Sequence, residues 1–148
     1  MQRIQKYQMV CERVQGYSVQ SKRVSEPSIV WQALLAMGID KLLTEHFYVL
    51  CLATNGDIVG IHDISTGTVN SSVVHPREVF TAVINTPRTA SFIVAHNHPS
   101  GDIKPSSEDI AVTKRLKECG ELLGIKLLDH VIVAEHDYYS FKDSSTIF

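Results

Sequence analysis

Paired cysteines, membrane-length apolar runs and an excess of either charge are what this sequence lacks. Its 148 residues hold three cysteines, Cys11, Cys51 and Cys119. An odd number, widely spaced and without a Cys-x-x-Cys, argues against a disulfide framework and a structural zinc knuckle. Cys51 falls in an apolar strand pattern and Cys119 on an apolar helical stripe, the setting of small core residues. No apolar run approaches the roughly 20 residues of a membrane helix, and the N-terminus has no apolar signal core. A cytoplasmic protein without membrane contact is expected. The net charge of −2 leaves no overall electrostatic footprint for nucleic acid. There is no internal repeat, low-complexity segment or linker.

What is present fits one globular domain: 44% apolar and 20% charged residues, enough to bury a proper core. Charge is uneven, because residues 1–25 carry a net +4 from Arg3, Lys6, Arg13, Lys22 and Arg23 against Glu12. That stretch is expected to be a solvated basic arm or edge strand (Tyr7–Val14, then Tyr17–Val24), with residues 26–148 forming the domain proper.

Proline after Ser25-Glu26 opens a helix whose apolar positions Ile29, Val30, Ala33, Leu34 and Met37 recur at helical spacing, with Gly38 as its C-cap. Phe47–Ala53 reads as a strand, Asn55-Gly56 as a tight hairpin turn, and Ile58–Ile64 as the returning strand. A second turn at Thr66-Gly67 leads to a third strand, Val69–Val74. A helix beginning at His75-Pro76 buries Val79, Phe80, Val83 and Ile84 and ends at Asn85-Thr86-Pro87-Arg88. A strand over Ser91–Ala95 follows. The strongest helix spans Ser106–Leu123, with Val112, Leu116, Cys119 and Leu123 as its apolar stripe and Gly124 as its stop. Lys126–Ala134 closes the sheet and Tyr138–Phe141 adds a short edge. This order predicts an α/β fold, a mixed sheet with helices packed on its faces.

The chemistry concentrates in Ala95-His96-Asn97-His98-Pro99-Ser100-Gly101-Asp102 and in Ser106 and Asp109 just beyond. Side chains alternate along a strand, so His96 and His98 point one way at the strand end and Asn97 the other. Pro99, Gly101 and Pro105 break the chain into a loop, and Asp109 stands in the first turn of the following helix. Two imidazoles and one carboxylate then converge as three metal ligands, the number a hydrolytic zinc site uses while keeping a fourth position open. A plainer reading makes the histidines exposed turn residues and Ser106-x-x-Asp109 an ordinary capping box. It does not explain two histidines and a carboxylate closing on one point. Hydrolysis also needs a carboxylate to move a proton. With no His-Glu-x-x-His in the chain, Glu26, Glu45, Glu78 and Glu108 are the candidates. Glu45, at the start of the Phe47 strand, is placed to reach a neighbouring strand end. The other histidines, His46, His62, His75 and His136, read as turn or strand-end residues. His130 reads as a core histidine, with Asp129-His130 the alternative of support for a ligand, and Asn97 as a holder of backbone.

The spacing His-x-His-Pro-x(6)-Ser-x(2)-Asp resembles the motif of the JAMM metalloenzymes. The longer text around it, with Pro105-Ser106, Leu128-Asp129-His130 and Pro76-Arg77-Glu78-Val79-Phe80, resembles the RadC branch over about residues 26–142. The resemblance implies a three-layer α/β/α fold of the cytidine-deaminase-like JAB/MPN type and a Zn²⁺ held by His96, His98 and Asp109. It further implies Glu45 as the base and Ser106 as donor to the oxyanion, a role that competes with capping for the same hydroxyl. The expected activity is zinc-dependent hydrolysis of a peptide or isopeptide bond by an activated water. The substrate would be a peptide or protein conjugate. A DNA repair or recombination accessory role is the rival. The chain departs from the common RadC form in lacking the helix-hairpin-helix that usually precedes the metal domain, which weakens that rival. A zinc deaminase would need His-x-Glu and Pro-Cys-x-x-Cys, and position 97 is asparagine. The letters His-Asn-His do not make a nuclease, whose three residues come from separated positions. A metal-binding module without turnover is the last alternative.

Overall fold

The computed structural model describes residues 3–6, 8, 11–66 and 74–148. Its centre is a five-stranded mixed sheet in the order β2-β1-β3-β4-β5. Strands β1 (His46–Leu52) and β2 (Ile58–Thr66) form the expected antiparallel hairpin around Asn55-Gly56, where Gly56 takes φ +84°. Strand β3 (Ser91–Asn97) pairs antiparallel with β1 and parallel with β4 (Lys126–Val133), and β5 (Tyr138–Ser140) returns antiparallel to β4. The parallel step from β3 to β4 is spanned by helix α3 (Ser107–Leu123), as a parallel connection requires.

Helix α1 (Pro27–Ala36) covers one face of the sheet, packing Val30 and Leu34 against Tyr48, Leu50, Ile93, Val131 and Val133. Helices α2 (Pro76–Asn85) and α3 cover the other, where Val79, Phe80, Val83 and Leu116 meet Phe47, Val49, Phe92 and Val94. Odd and even residues of β1 and β3 divide cleanly between the two clusters, so the central strands are apolar on both faces. The architecture is the expected three-layer α/β/α arrangement. Trp31 ties α1 across the sheet by donating Nε1–H to the Ala134 carbonyl (2.9 Å) beside the Tyr138 ring.

Several expectations change. The described residues of the predicted strands Tyr7–Val14 and Tyr17–Val24 form no strand; Arg23 makes one bridge to Asp57, and residues 11–20 are exposed. A strand needs a face to bury, and the described residues 11–20 bury none. The predicted strand Val69–Val74 falls on residues 69–73, outside the described residues. Helix α1 stops at Ala36, and Gly38 at φ +75° leads into a 3-10 turn over Ile39–Lys41 that separates α1 from Glu45. Strand β3 continues two residues past Ala95, so His96 lies inside it and is paired on both sides. Phe141 leaves β5 to begin helix α4 (Phe141–Ser144), capped by Ser140.

The buried face of α3 is also shifted from the apolar stripe. It comprises Thr113, Leu116 and Gly120, while Leu123 is half exposed. Gly120 is where the helix touches the sheet: a Cβ there would lie 2.5 Å from the Ile125 carbonyl oxygen and 3.4 Å from the Phe92 ring. Alanine elsewhere in a helix gains about 1 kcal/mol over glycine. Here backbone must move, and overpacking costs about 1–3 kcal/mol. Gly120→Ala is therefore expected to lower the denaturant midpoint, where an open helical site would raise it.

Candidate metal centre

Three elements meet at the end of β3. In the β1–β3 ladder Phe47 faces His96, and the same register continued by two residues sets Glu45 opposite His98. Asn97 holds that continuation. Its Oδ1 accepts from His46 N–H (2.7 Å) and its Nδ2 donates to the Thr44 carbonyl (3.0 Å), so the backbone is gripped on both sides of Glu45. On the other edge His98 N–H bonds the Val133 carbonyl, extending the pairing with β4. The chain then turns through Gly101 at φ +81°, and the Asp102 carbonyl returns to within 2.5 Å of His98 Nδ1.

Asp109 arrives from α3. Its Oδ2 accepts from Ser106 N–H (2.8 Å), and Ser106 Oγ accepts from Asp109 N–H (3.1 Å), a reciprocal capping box. The capping box of the plainer reading is therefore present, and it also orients the carboxylate. The Ser106 oxygen serves as acceptor there, which leaves its own proton to be donated.

The atoms brought together are His96 Nε2 and His98 Nε2, 2.9 Å apart; Asp109 Oδ1, 3.2 Å from His96; and Asp109 Oδ2, 3.5 Å from His98. Glu45 Oε1 approaches from the other side, 3.7 Å from His96 Nε2 and 3.6 Å from His98 Nε2. Ligand atoms of Glu45, His96 and His98 lie within 4.8 Å of one another, a group able to hold a metal ion. Four zinc ligands at about 2.0–2.1 Å would stand about 3.3 Å from each other. The separations here bracket that edge. The donor set fits as well: two imidazole nitrogens and two carboxylates, neither carboxylate paired with lysine or arginine among the described residues.

Each ring pair leaves a choice between two carboxylates as the third partner. Asp109 is nearer and more enclosed, at 14% side-chain exposure against 36% for Glu45. Burial alone would push the Asp109 carboxyl up. The facing His96 and His98 rings and the Ser106 N–H hold it well below the usual carboxylate range. His98 moves the other way: burial opposes its charge, but Asp109, the Asp102 carbonyl and Glu45 together raise it above an ordinary histidine.

Of the other glutamates, Glu26 accepts from Ser28 at the start of α1 and Glu108 from Ser107, and Glu78 stays in the first turn of α2. Only Glu45 reaches the histidines. His46 bonds Asp63 (2.8 Å), and His62 bonds Thr86 (2.7 Å) with its charge disfavoured by burial. His136 is exposed. Asp129 braces β4 against α4, accepting from His130 N–H, Lys142 N–H and the Ser140 hydroxyl.

His130 is a fully buried core histidine, as expected, and its Nε2 lies 2.8 Å from His96 Nδ1. Its other nitrogen meets Thr113 Oγ1 at 2.6 Å. Thr113 carried no signal in the sequence beyond one: a hydroxyl residue one turn after Asp109 sits on the same helix face as that carboxylate.

Fold and site together define a three-layer α/β protein with a His-His-carboxylate group at the end of its central strand. The chain belongs to the RadC-like JAB domain family, whose model matches residues 24–146. It is 52% identical over 106 residues to a UPF0758 protein of Clostridium botulinum, covering 72% of this chain and 46% of that one. It is 50% identical over 121 residues to a UPF0758 protein of Staphylococcus haemolyticus, covering 82% and 52%. A UPF0758 protein of Alkaliphilus metalliredigens is 46% identical over 123 residues, covering 83% and 52%. The chain thus spans about half the length of the curated relatives it matches. Among the described residues no helix is long and apolar enough to cross a membrane.

Asn97→Ala would remove the partner of the His46 N–H and the Thr44 carbonyl at a part-buried site. The expected loss is about 1–2 kcal/mol in denaturant unfolding, since each hydrogen bond contributes about 0.5–1.5 kcal/mol and water can reach the freed groups. Amide hydrogen exchange at His46 should rise with it.

Proposed function

We propose that this domain is a metal-dependent amide hydrolase, with His96, His98 and Asp109 as the ligands of a Zn²⁺ and Glu45 as the proton carrier. The observation that supports it most is the asymmetry between the two carboxylates. Asp109 is clamped by a capping box against both rings, whereas Glu45 stands more exposed and slightly farther away. A ligand needs the first environment; a group that must exchange protons with solvent and substrate needs the second.

A zinc ion at this position would supply a Lewis acid for a carbonyl oxygen and an acidified water molecule. Glu45, facing both imidazoles, would carry a proton from the attacking water to the departing amine. Ser106 would donate its O–H to the oxygen that gains negative charge, while its oxygen continues to cap α3. Asn97 keeps Glu45 at its station. A neutral amide enters beside Glu45 without the repulsion that a phosphodiester would meet there. That favours a peptide or isopeptide over a nucleic-acid backbone as substrate, and the same site would serve a protein conjugate. Residues 1–25 carry a net +4 in this reading, and Lys22, Arg23 and Val24 join the domain at Gly56, Asp57 and Ile58.

Metal analysis and a peptide-library cleavage screen test the proposal. Purified chain should take up about one Zn²⁺, with a rise in Tm that a chelator reverses. Glu45→Gln should keep the ion and lose roughly 10²–10⁴-fold in cleavage rate. Asp109→Ala should lose the ion itself. A Glu45→Gln chain that no longer binds zinc would make Glu45 a ligand instead. A folded wild-type chain with no affinity for divalent transition metals would end the hydrolase reading. Duplex and single-strand binding that falls steeply with salt would favour the DNA-accessory role.

A further inference from the structure

Building on the metal reading, we infer that Thr113 and His130 form a proton-orienting relay that decides which ring nitrogen of His96 is left bare for a metal ion. The Asp109 carbonyl oxygen can only accept. Thr113 Oγ1 lies 2.5 Å from it, one turn along α3, so the single hydroxyl proton of Thr113 is committed there. Toward His130 Nδ1, 2.6 Å away, that hydroxyl has only lone pairs to offer, and Nδ1 must carry the proton. The neutral His130 ring then presents a bare Nε2 to His96 Nδ1 at 2.8 Å. His96 Nδ1 is therefore the donor, and its Nε2 faces His98 and Asp109 without a proton.

The order of protons follows from counting donors and acceptors, and the packing holds the order in place. Phe141 stacks on the His130 ring at 4.8 Å with 12° between planes, and Phe47 meets the same ring edge-on while stacking on His96. Thr113 and His130 have no exposed surface, so water cannot replace either partner. The relay also closes on itself: it starts at the backbone of Asp109 and ends at the ring facing the Asp109 carboxylate. It thereby couples the helix that carries one ligand to the tautomer of another. His98 needs no such device, because its Nδ1 lies against the Asp102 carbonyl directly. Thr113 and His130 are positioning residues. A histidine that merely filled the core would leave the His96 tautomer unspecified.

Nitrogen-15 NMR of the histidine rings of the full chain, metal-free and zinc-loaded, tests the relay without reference to catalysis. The expected result is a proton on Nδ1 of both His96 and His130 and a bare Nε2 on His130. Thr113→Val removes the acceptor for His130 Nδ1–H and should move that proton to Nε2, reversing His96 in turn. Zinc affinity by chelator competition should then fall about 10–100-fold, and Thr113→Ser should restore both tautomers and affinity. A wild-type His130 protonated on Nε2 would overturn the relay, and this measurement stands even if the valine variant does not fold. A folded Thr113→Val chain with unchanged tautomers and zinc affinity would overturn the relay and leave the metal reading intact. The expected tautomers in a wild-type chain that binds no zinc would uphold the relay and overturn the metal reading.

Discussion

The register of β3 between its two neighbours sets every distance at the site. Antiparallel pairing with β1 places Glu45 across from His98, and parallel pairing with β4 places His130 behind His96. A slip of one residue on either side would turn the partner's side chain to the opposite face. The register is held where it matters by Asn97, whose buried amide spans the backbone from Thr44 to His46. Its strength elsewhere comes from the two apolar clusters, since both faces of the central strands are covered and a slip would move each side chain into the other cluster's packing.

Electrostatics at the strand end run against ordinary stability. Two imidazole nitrogens 2.9 Å apart face two carboxylates, all partly or fully withdrawn from water. A fold optimised for stability alone would not gather like acceptors so closely. The surroundings compensate locally. Asp109 takes a backbone N–H from Ser106, His98 has the Asp102 carbonyl, and His96 has His130. These neighbours hold each imidazole by the nitrogen that does not face the centre and Asp109 by Oδ2, which leaves both Nε2 atoms and Asp109 Oδ1 available to a shared cation.

Much of this was legible in residues close together along the chain. His96-Asn97-His98 on a strand, the loop at Pro99 and Gly101, and Ser106-x-x-Asp109 at a helix start lie within 14 residues of each other. Local rules for strands, turns and caps therefore brought both rings and the carboxylate to one region. The hairpin at Asn55-Gly56 and the stops at Gly38 and Gly124 were readable for the same reason, since backbone geometry at those positions depends on the residue itself. The described residues 11–20 form no strand, because alternation of apolar residues states what a strand would bury, not whether anything is there to cover it. The stripe on α3 misplaced the buried face because hydrophobicity cannot mark Thr113, which is buried for its hydroxyl, or Gly120, buried for having no side chain.

The sequence by itself determined the α/β class, the helix caps, the hairpin and the convergence of His96, His98 and Asp109, all consequences of steric and hydrogen-bonding preferences within a few residues. Only the tertiary structure decided that Glu45, among four glutamates, reaches the imidazoles, and that His130 backs His96 with Thr113 behind it. These partners lie from 17 to 53 residues apart along the chain. Contacts at that range follow from which strands pair and in what register. Register is settled by packing both faces of the whole sheet at once, and no short stretch of the chain contains that information.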